Sequence, residues 1–127
     1  MRMRKKKHRD ERLENCSDLI IQDISEYSKD IKAVFPDDKP LRMEIGCGKG
    51  AFILETAKRN PDINFIAVEK NLNVLVLAAE KVKNANLTNV KFVAGDANML
   101  REFETDSKCE VIYISCPFFF LVVLHLS

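Results

Sequence analysis

The sequence predicts an α/β protein built on a parallel sheet with flanking helices, and three observations predict it. Short apolar runs of strand length recur at residues 41–45, 63–68, 90–94 and 111–114. The stretches joining the first three runs carry helical periodicity rather than strict alternation. Each is also long enough for the crossover that a parallel pair of strands requires.

The elements follow in order. Residues 18–34 read as an additional helix ahead of the sheet, closed by the turn signal Phe35-Pro36-Asp37-Asp38. The first strand runs into Gly46-Cys47-Gly48-Lys49-Gly50, and Ala51-Phe52-Ile53-Leu54-Glu55-Thr56-Ala57 opens a helix behind it. Asn60-Pro61-Asp62 turns the chain into the second strand, which closes on Glu69. Leu75, Ala78, Ala79 and Val82 recur at i, i+3, i+4 and i+7, the buried face of the next helix. The third strand ends at Gly95-Asp96-Ala97-Asn98, and Val111-Ile112-Tyr113-Ile114 forms the fourth. A four-stranded sheet leaves this fourth strand at an edge beside the apolar run 118–126, and long uncharged edges favour association.

A chain of 127 residues has room for one domain, and 46% apolar with 31% charged residues places it among globular rather than disordered proteins. The net charge of +1 hides an asymmetry, because Arg2, Arg4, Lys5, Lys6, Lys7, Arg9 and Arg12 crowd the start. That end suits an anionic partner. Cys16, Cys47, Cys109 and Cys116 form no C-x-x-C pair and have no matching histidines, which argues against a metal site and a disulfide framework. A reduced, cytoplasmic protein is expected. No apolar run follows the basic start, so no secretory signal is expected. The run 118–126 falls short of the roughly 20 residues of a spanning helix, so no membrane partner is expected either.

The candidate chemistry lies at the ends of the strands. Gly46 and Gly48 sit where the first strand turns into a helix, where glycine lets backbone approach a ligand and the helix offers free N–H groups. The spacing alone leaves a dinucleotide site open, since Ala51 occupies the third position of that fingerprint. Glu44 discriminates better: its carboxylate opposes a pyrophosphate and suits the ammonium of a methionine moiety. Glu69 ends the second strand as an acceptor for ribose hydroxyls, with Lys70 beside it among the cofactor contacts. Asp96 ends the third strand facing an adenine edge, and the N–H of Ala97 suits a ring nitrogen. Ligands of open parallel sheets bind beyond the carboxyl ends of the strands, and these acids all fall there. S-adenosyl-L-methionine is the predicted cofactor, with an NAD-dependent oxidoreductase as the remote alternative.

Several segments resemble the bacterial tRNA (guanine-N7-)-methyltransferase family. They are Arg2-Met3-Arg4, the run from Arg42 to Gly50, Asn60-Pro61-Asp62-Ile63-Asn64-Phe65-Ile66-Ala67-Val68-Glu69, and Asn89-Val90-Lys91-Phe92 with Gly95-Asp96-Ala97. The likeness covers residues 2–114. It implies an incomplete Rossmann-like class I methyltransferase fold, and methyl transfer to N7 of a guanine in the tRNA variable loop. N7 is an unprotonated lone pair, so attack on a sulfonium methyl needs no base, and catalysis rests on positioning and electrostatics. Past the position of Tyr113-Ile114 the family continues into an acidic Asp-Pro-Trp-Pro segment, where this chain reads Ser115-Cys116-Pro117-Phe118-Phe119-Phe120. The acidic residue expected after Ile114 is missing, so no catalytic residue is assigned. An RNA- or nucleotide-binding fragment without turnover stays open beside the enzyme, and a frameshift or premature stop stays open beside a natural edge strand or interaction tail.

The resemblance divides the chain into a basic arm at 1–16, a cofactor-binding half-domain at 17–114 and an atypical apolar tail at 115–127. Arg2, Arg4, Lys5, Lys6 and Lys7 are the candidate tRNA phosphate contacts, with a solvated arm as the alternative.

Overall fold

The computed structural model describes residues 8–96, 98, 109–115 and 121–125. Helix α1 (Arg9–Asn15) leads through a series of short 3-10 turns to strand β1 (Leu41–Ile45). Helix α2 (Ala51–Arg59), strand β2 (Asn64–Glu69), helix α3 (Leu72–Asn84) and strand β3 (Val90–Ala94) follow, then strands β4 (Cys109–Ser115) and β5 (Leu121–His125). The five strands lie in one sheet in the order β3-β2-β1-β4-β5. Strands β1 to β4 run parallel, as expected for an α/β protein.

Residues of β2 divide between two apolar layers. Phe65 and Ala67 pack under α2 and α3 with Ile53, Leu75, Ala78 and Val82. Ile66 and Val68 face the opposite side, beside Met43 and Ile112 of the neighbouring strands, where Ile31 and Phe35 cover them. Burial on both faces accounts for the unbroken apolar run in β2. The predicted face of α3 is also confirmed, since Leu75, Ala78, Ala79 and Val82 are all fully buried. Asn86, at φ 57°, takes the left-handed position just beyond α3 and donates its N–H to the Lys83 carbonyl.

The segment 18–34 is not the single helix that its composition predicts. It forms 3-10 turns at Ser17–Leu19, Ile24–Tyr27 and Ile31–Val34. Asp23 and Asp30 account for the breaks, because their carboxylates accept the backbone N–H of Ser25 and Lys32 and restart the chain. Between the first two turns, Ile20 bridges Phe92 in parallel, and the Ile21 N–H donates to the Phe92 carbonyl at 2.8 Å. The segment thus passes along β3 and then covers the second face of the sheet with Ile31 and Phe35.

The fourth strand is not the edge, contrary to the expectation of four strands. Strand β5 pairs antiparallel with β4, from Val111 opposite His125 to Ser115 opposite Leu121. Backbone pairing of this apolar stretch satisfies the N–H and C=O groups that β4 would otherwise expose. Nor does β4 stop at Ile114, where the apolar run ends in the sequence. Ile114 lies between Ile45 of β1 and Val122 of β5, and the ladder to β5 carries the strand on to Ser115.

The segment 60–64, one of those that carry the resemblance, braces the fold. Asn60 Nδ2 donates to the Thr56 carbonyl, and Asn64 Nδ2 donates to Asp37 Oδ1 at 2.6 Å. The latter bond, first among several causes, holds the Asp37 carboxyl below the usual carboxylate range. Buried Asn89 points its Nδ2 at the carbonyls of Ala57, Asn60 and Ile63, at 3.2, 3.2 and 2.9 Å. One side chain thereby ties the end of α2 to the entry of β2.

Candidate functional site

Strand β1 has β2 and then β3 on one side and β4 on the other, so the strand order reverses at β1. A crevice opens beyond the carboxyl ends of strands at such a reversal. The turn at 46–50 occupies this place. Gly46 and Cys47 both donate their N–H to the Val68 carbonyl, at 2.8 and 3.0 Å, which fastens the turn to the end of β2.

Two glycines in this turn do different work. Gly50, at φ 89°, precedes α2, and a Cβ there would stand 2.9 Å from Ala78 Cβ. Its lack of a side chain lets α2 and α3 approach. Gly48, at φ 57°, has no atom within 4 Å of the position a Cβ would take. Its missing side chain therefore leaves open space on the turn.

Glu69 joins the strand-end loops. Gly48 N–H donates to its Oε1 at 3.1 Å, and Asn71 N–H donates to its Oε2 at 2.9 Å. The Glu69 carbonyl accepts the N–H of Gly95 at 3.1 Å, which draws in the loop after β3. A carboxylate offers about four acceptor directions, so two N–H bonds leave room for a pair of hydroxyls. Lys70 is exposed on the same turn, and Asp96 is exposed at the end of the next strand. Asp96 Oδ1 accepts the Asn98 N–H at 2.9 Å, a local turn that fixes its carboxylate.

Glu44 takes a different position from the other acids. It is fully buried in β1, in register with Ala67 of β2 and Tyr113 of β4. It lies near Cys47, whose thiol is pushed well up, first by burial and then by the Glu44 and Glu69 carboxylates. The thiol is therefore held protonated beneath the turn.

The structure brings Gly46, Gly48, Glu69, Lys70 and Asp96 to the ends of adjacent strands, with Glu44 under the turn. Ile114, the residue after which an acid is expected, is itself no site group. It is half-buried and packs against the apolar layer of Met43, Ile45 and Val68. Ala97, Arg2, Arg4, Lys5, Lys6 and Lys7 lie outside the described residues, as does the departure at 116–120.

Sequence reasoning missed Asn71, whose Oδ1 accepts the Asn73 N–H at the start of α3. An Asn immediately before an apolar helical repeat is a capping signal that would have found it. It also missed the grouping of Arg42, Tyr113 and Phe52. Arg42 Nη1 donates to the Tyr113 hydroxyl at 3.1 Å, and the Phe52 ring meets Tyr113 edge-on at 5.3 Å. No spacing rule joins residues this far apart in the chain.

Among the described residues, no group of three or more His, Cys, Asp and Glu side chains is arranged to hold a metal ion. No described helix is long and apolar enough to cross a membrane.

A family model described as "Putative methyltransferase" matches residues 38–118. The tRNA (guanine-N(7)-)-methyltransferase of Bacillus licheniformis is 38% identical over 115 residues, covering 91% of this chain and 54% of that protein. The protein of the same name from Clostridioides difficile is 38% identical over 116 residues, with the same shares covered. The chain spans about half the length of these curated relatives. A solved structure described as a "putative s-adenosyl-l-methionine-dependent methyltransferase" from Methanococcus maripaludis aligns with a TM-score of 0.55. It covers 94% of this chain and 56% of the other at 20% identity, a likeness of fold.

Proposed function

From the premise that this chain belongs to the methyltransferase family matched at residues 38–118, we propose that it serves S-adenosyl-L-methionine-dependent methylation of N7 of a guanine in the tRNA variable loop. The observation that carries this reading is the meeting of Gly48 and Glu69 at the strand ends, where the turn faces open space and the carboxylate is already aimed. The names of the curated relatives supply the reaction and the substrate class.

These residues fit the cofactor. Glu69 accepts the ribose hydroxyls in the acceptor directions left by Gly48 and Asn71. Gly46 and Gly48 let the backbone lie against the methionine portion, and Asp96 with Ala97 serves the adenine edge. Glu44, fully buried in β1, would serve the methionine ammonium from beneath the turn. Lys70 stands exposed at the rim. When bound, the cofactor would supply an electrophilic methyl group to the N7 lone pair, the sulfur–methyl bond breaking as the nitrogen–methyl bond forms and S-adenosylhomocysteine leaving. The protein's part is then alignment of the two groups and exclusion of water, which account for large rate factors without an acid or base.

Residues 17–114 form the cofactor-binding portion, and Arg2, Arg4, Lys5, Lys6 and Lys7 form a phosphate-contacting arm ahead of it. The reaction belongs to the cytoplasm, where tRNA is the partner. The test is transfer of tritiated methyl from S-adenosyl-L-methionine to an unmodified tRNA transcript, followed by borohydride and aniline cleavage at N7-methylguanosine. Label at a variable-loop guanine is expected. Cofactor binding without label in tRNA would contradict the proposed reaction and favour a binding fragment.

A further inference from the structure

We infer that Asn71 is a positioning residue for the cofactor, acting through Glu69, an inference that rests on the assignment of Glu69 to the ribose. Asn71 holds the first turn of α3 with its side chain and Glu69 with its backbone. Its Oδ1 accepts the N–H of Asn73 at 3.0 Å, while its own N–H donates to Glu69 Oε2 at 2.9 Å. Its carbonyl accepts from Val74 and Leu75, at 3.1 and 2.9 Å, so both of its backbone polar groups are committed.

The consequence is a fixed carboxylate. Glu69 Oε1 is held by Gly48 from the turn after β1, and Oε2 is held by Asn71 from the start of α3. A carboxylate held on both oxygens has its plane set before any hydroxyl arrives, so less ordering remains to be done on binding. Asn71 is extended at φ −89°, ψ 109°, which ordinary residues adopt without strain. The backbone therefore tolerates substitution, and the side chain is the part whose loss releases the turn. Without the Oδ1 cap, the N–H of Asn73 loses its partner, and the peptide that carries the Asn71 N–H is freer to rotate away from Glu69.

The predicted pattern separates this role from general support of the fold. Asn71→Ala should weaken S-adenosylhomocysteine binding by roughly fivefold, the equivalent of one lost helix cap. Asn71→Ser, which keeps an acceptor at the cap, should restore most of it. In a Glu69→Ala background, Asn71→Ala should change affinity less than twofold, because the group it positions is gone. The experiment is calorimetric titration of the full chain and these four variants, with circular dichroism to confirm equal helix content. Equal losses from Asn71→Ala with and without Glu69 would overturn the inference and leave Asn71 a plain helix cap. No effect from Asn71→Ala in the presence of Glu69 would overturn it as well. Unchanged affinity in Glu69→Ala itself would instead refute the ribose assignment on which the inference stands.

Discussion

Replacing Gly50 by alanine separates the structural glycine of the turn from the one that faces the ligand. Gly50 lies at φ 89°, where an L side chain costs about 1–2 kcal/mol. The new Cβ would also sit 2.9 Å from Ala78 Cβ and 3.0 Å from Ala78 Cα, and the second contact is backbone that cannot swing aside. Ala78 is fully buried, so α2 and α3 must part, at an overpacking cost of about 1–3 kcal/mol. The sum, about 2–5 kcal/mol, is a large share of the roughly 5–15 kcal/mol that holds a domain folded. Gly48→Ala carries only the backbone cost, about 1–2 kcal/mol, because its Cβ meets nothing within 4 Å. Urea unfolding followed by far-ultraviolet circular dichroism reads the difference. With a slope of about 1–3 kcal/mol per molar, Gly50→Ala should move the midpoint down by on the order of 1 M or more, and Gly48→Ala by clearly less. Cofactor affinity should show the reverse order among folded protein, since only the Gly48 methyl enters the open space. Equal midpoints for the two variants would refute the division of labour between these glycines.

Three further expectations concern the scaffold and the basic start of the chain. Glu80 accepts from Arg12 Nε at 2.9 Å and from Nη2, and this pairing holds its carboxyl below the ordinary range. A depressed folded value means that the stabilisation is complete above the unfolded carboxylate value of about 4.3 and is lost as pH falls through the folded one. Acid titrations of Glu80→Gln should therefore show a shallower loss of stability than the parent chain, and identical acid limbs would contradict the pairing. Asn89→Ala strips a shared donor from three carbonyls, and chemical denaturation should show a loss of about 1–3 kcal/mol with cofactor affinity per folded molecule unchanged. Changing Lys5, Lys6 and Lys7 together to Gln should lower tRNA affinity and flatten its salt dependence, by about 0.7–0.9 in log–log slope for each phosphate no longer neutralised. An unaltered slope in filter binding would make the arm a solvated tail.

Strands and helices were legible wherever one periodicity governed a segment. The unbroken run in β2 reflects burial on both of its faces and the 3.6-residue repeat of α3 burial on one, and both elements formed within a residue or so of where the pattern placed them. The segment 18–34 resisted reading because its apolar residues answer to two environments in turn, the edge of β3 at Ile20 and the far face of the sheet at Ile31. Asp23 and Asp30 were nonetheless local signs of a broken helix. Strand β5 pairs antiparallel with β4 across only residues 116–120, a hairpin spacing that was readable in the two neighbouring apolar runs, and the same pairing extends β4 past Ile114. Within the site, the glycine turn and the acid closing β2 were legible because each sits at a strand end. That Gly50 serves helix packing while Gly48 faces open space was not, since the distinction rests on Ala78 from another helix. The two-sided hold on Glu69 likewise joins residues from separate loops.

The proposed role of Glu69, holding S-adenosyl-L-methionine in the crevice beyond β1 and β2, can be read in one titration. Calorimetric titration of the chain and of Glu69→Ala with S-adenosylhomocysteine and with NAD tests it most directly. Two ribose hydrogen bonds to a charged acceptor are worth roughly 1.5–3 kcal/mol each, so even partial loss corresponds to about tenfold or more in affinity. The chain should bind S-adenosylhomocysteine in preference to NAD, and Glu69→Ala should weaken this binding at least tenfold. Preference for NAD, or equal affinity in the two proteins, would contradict it.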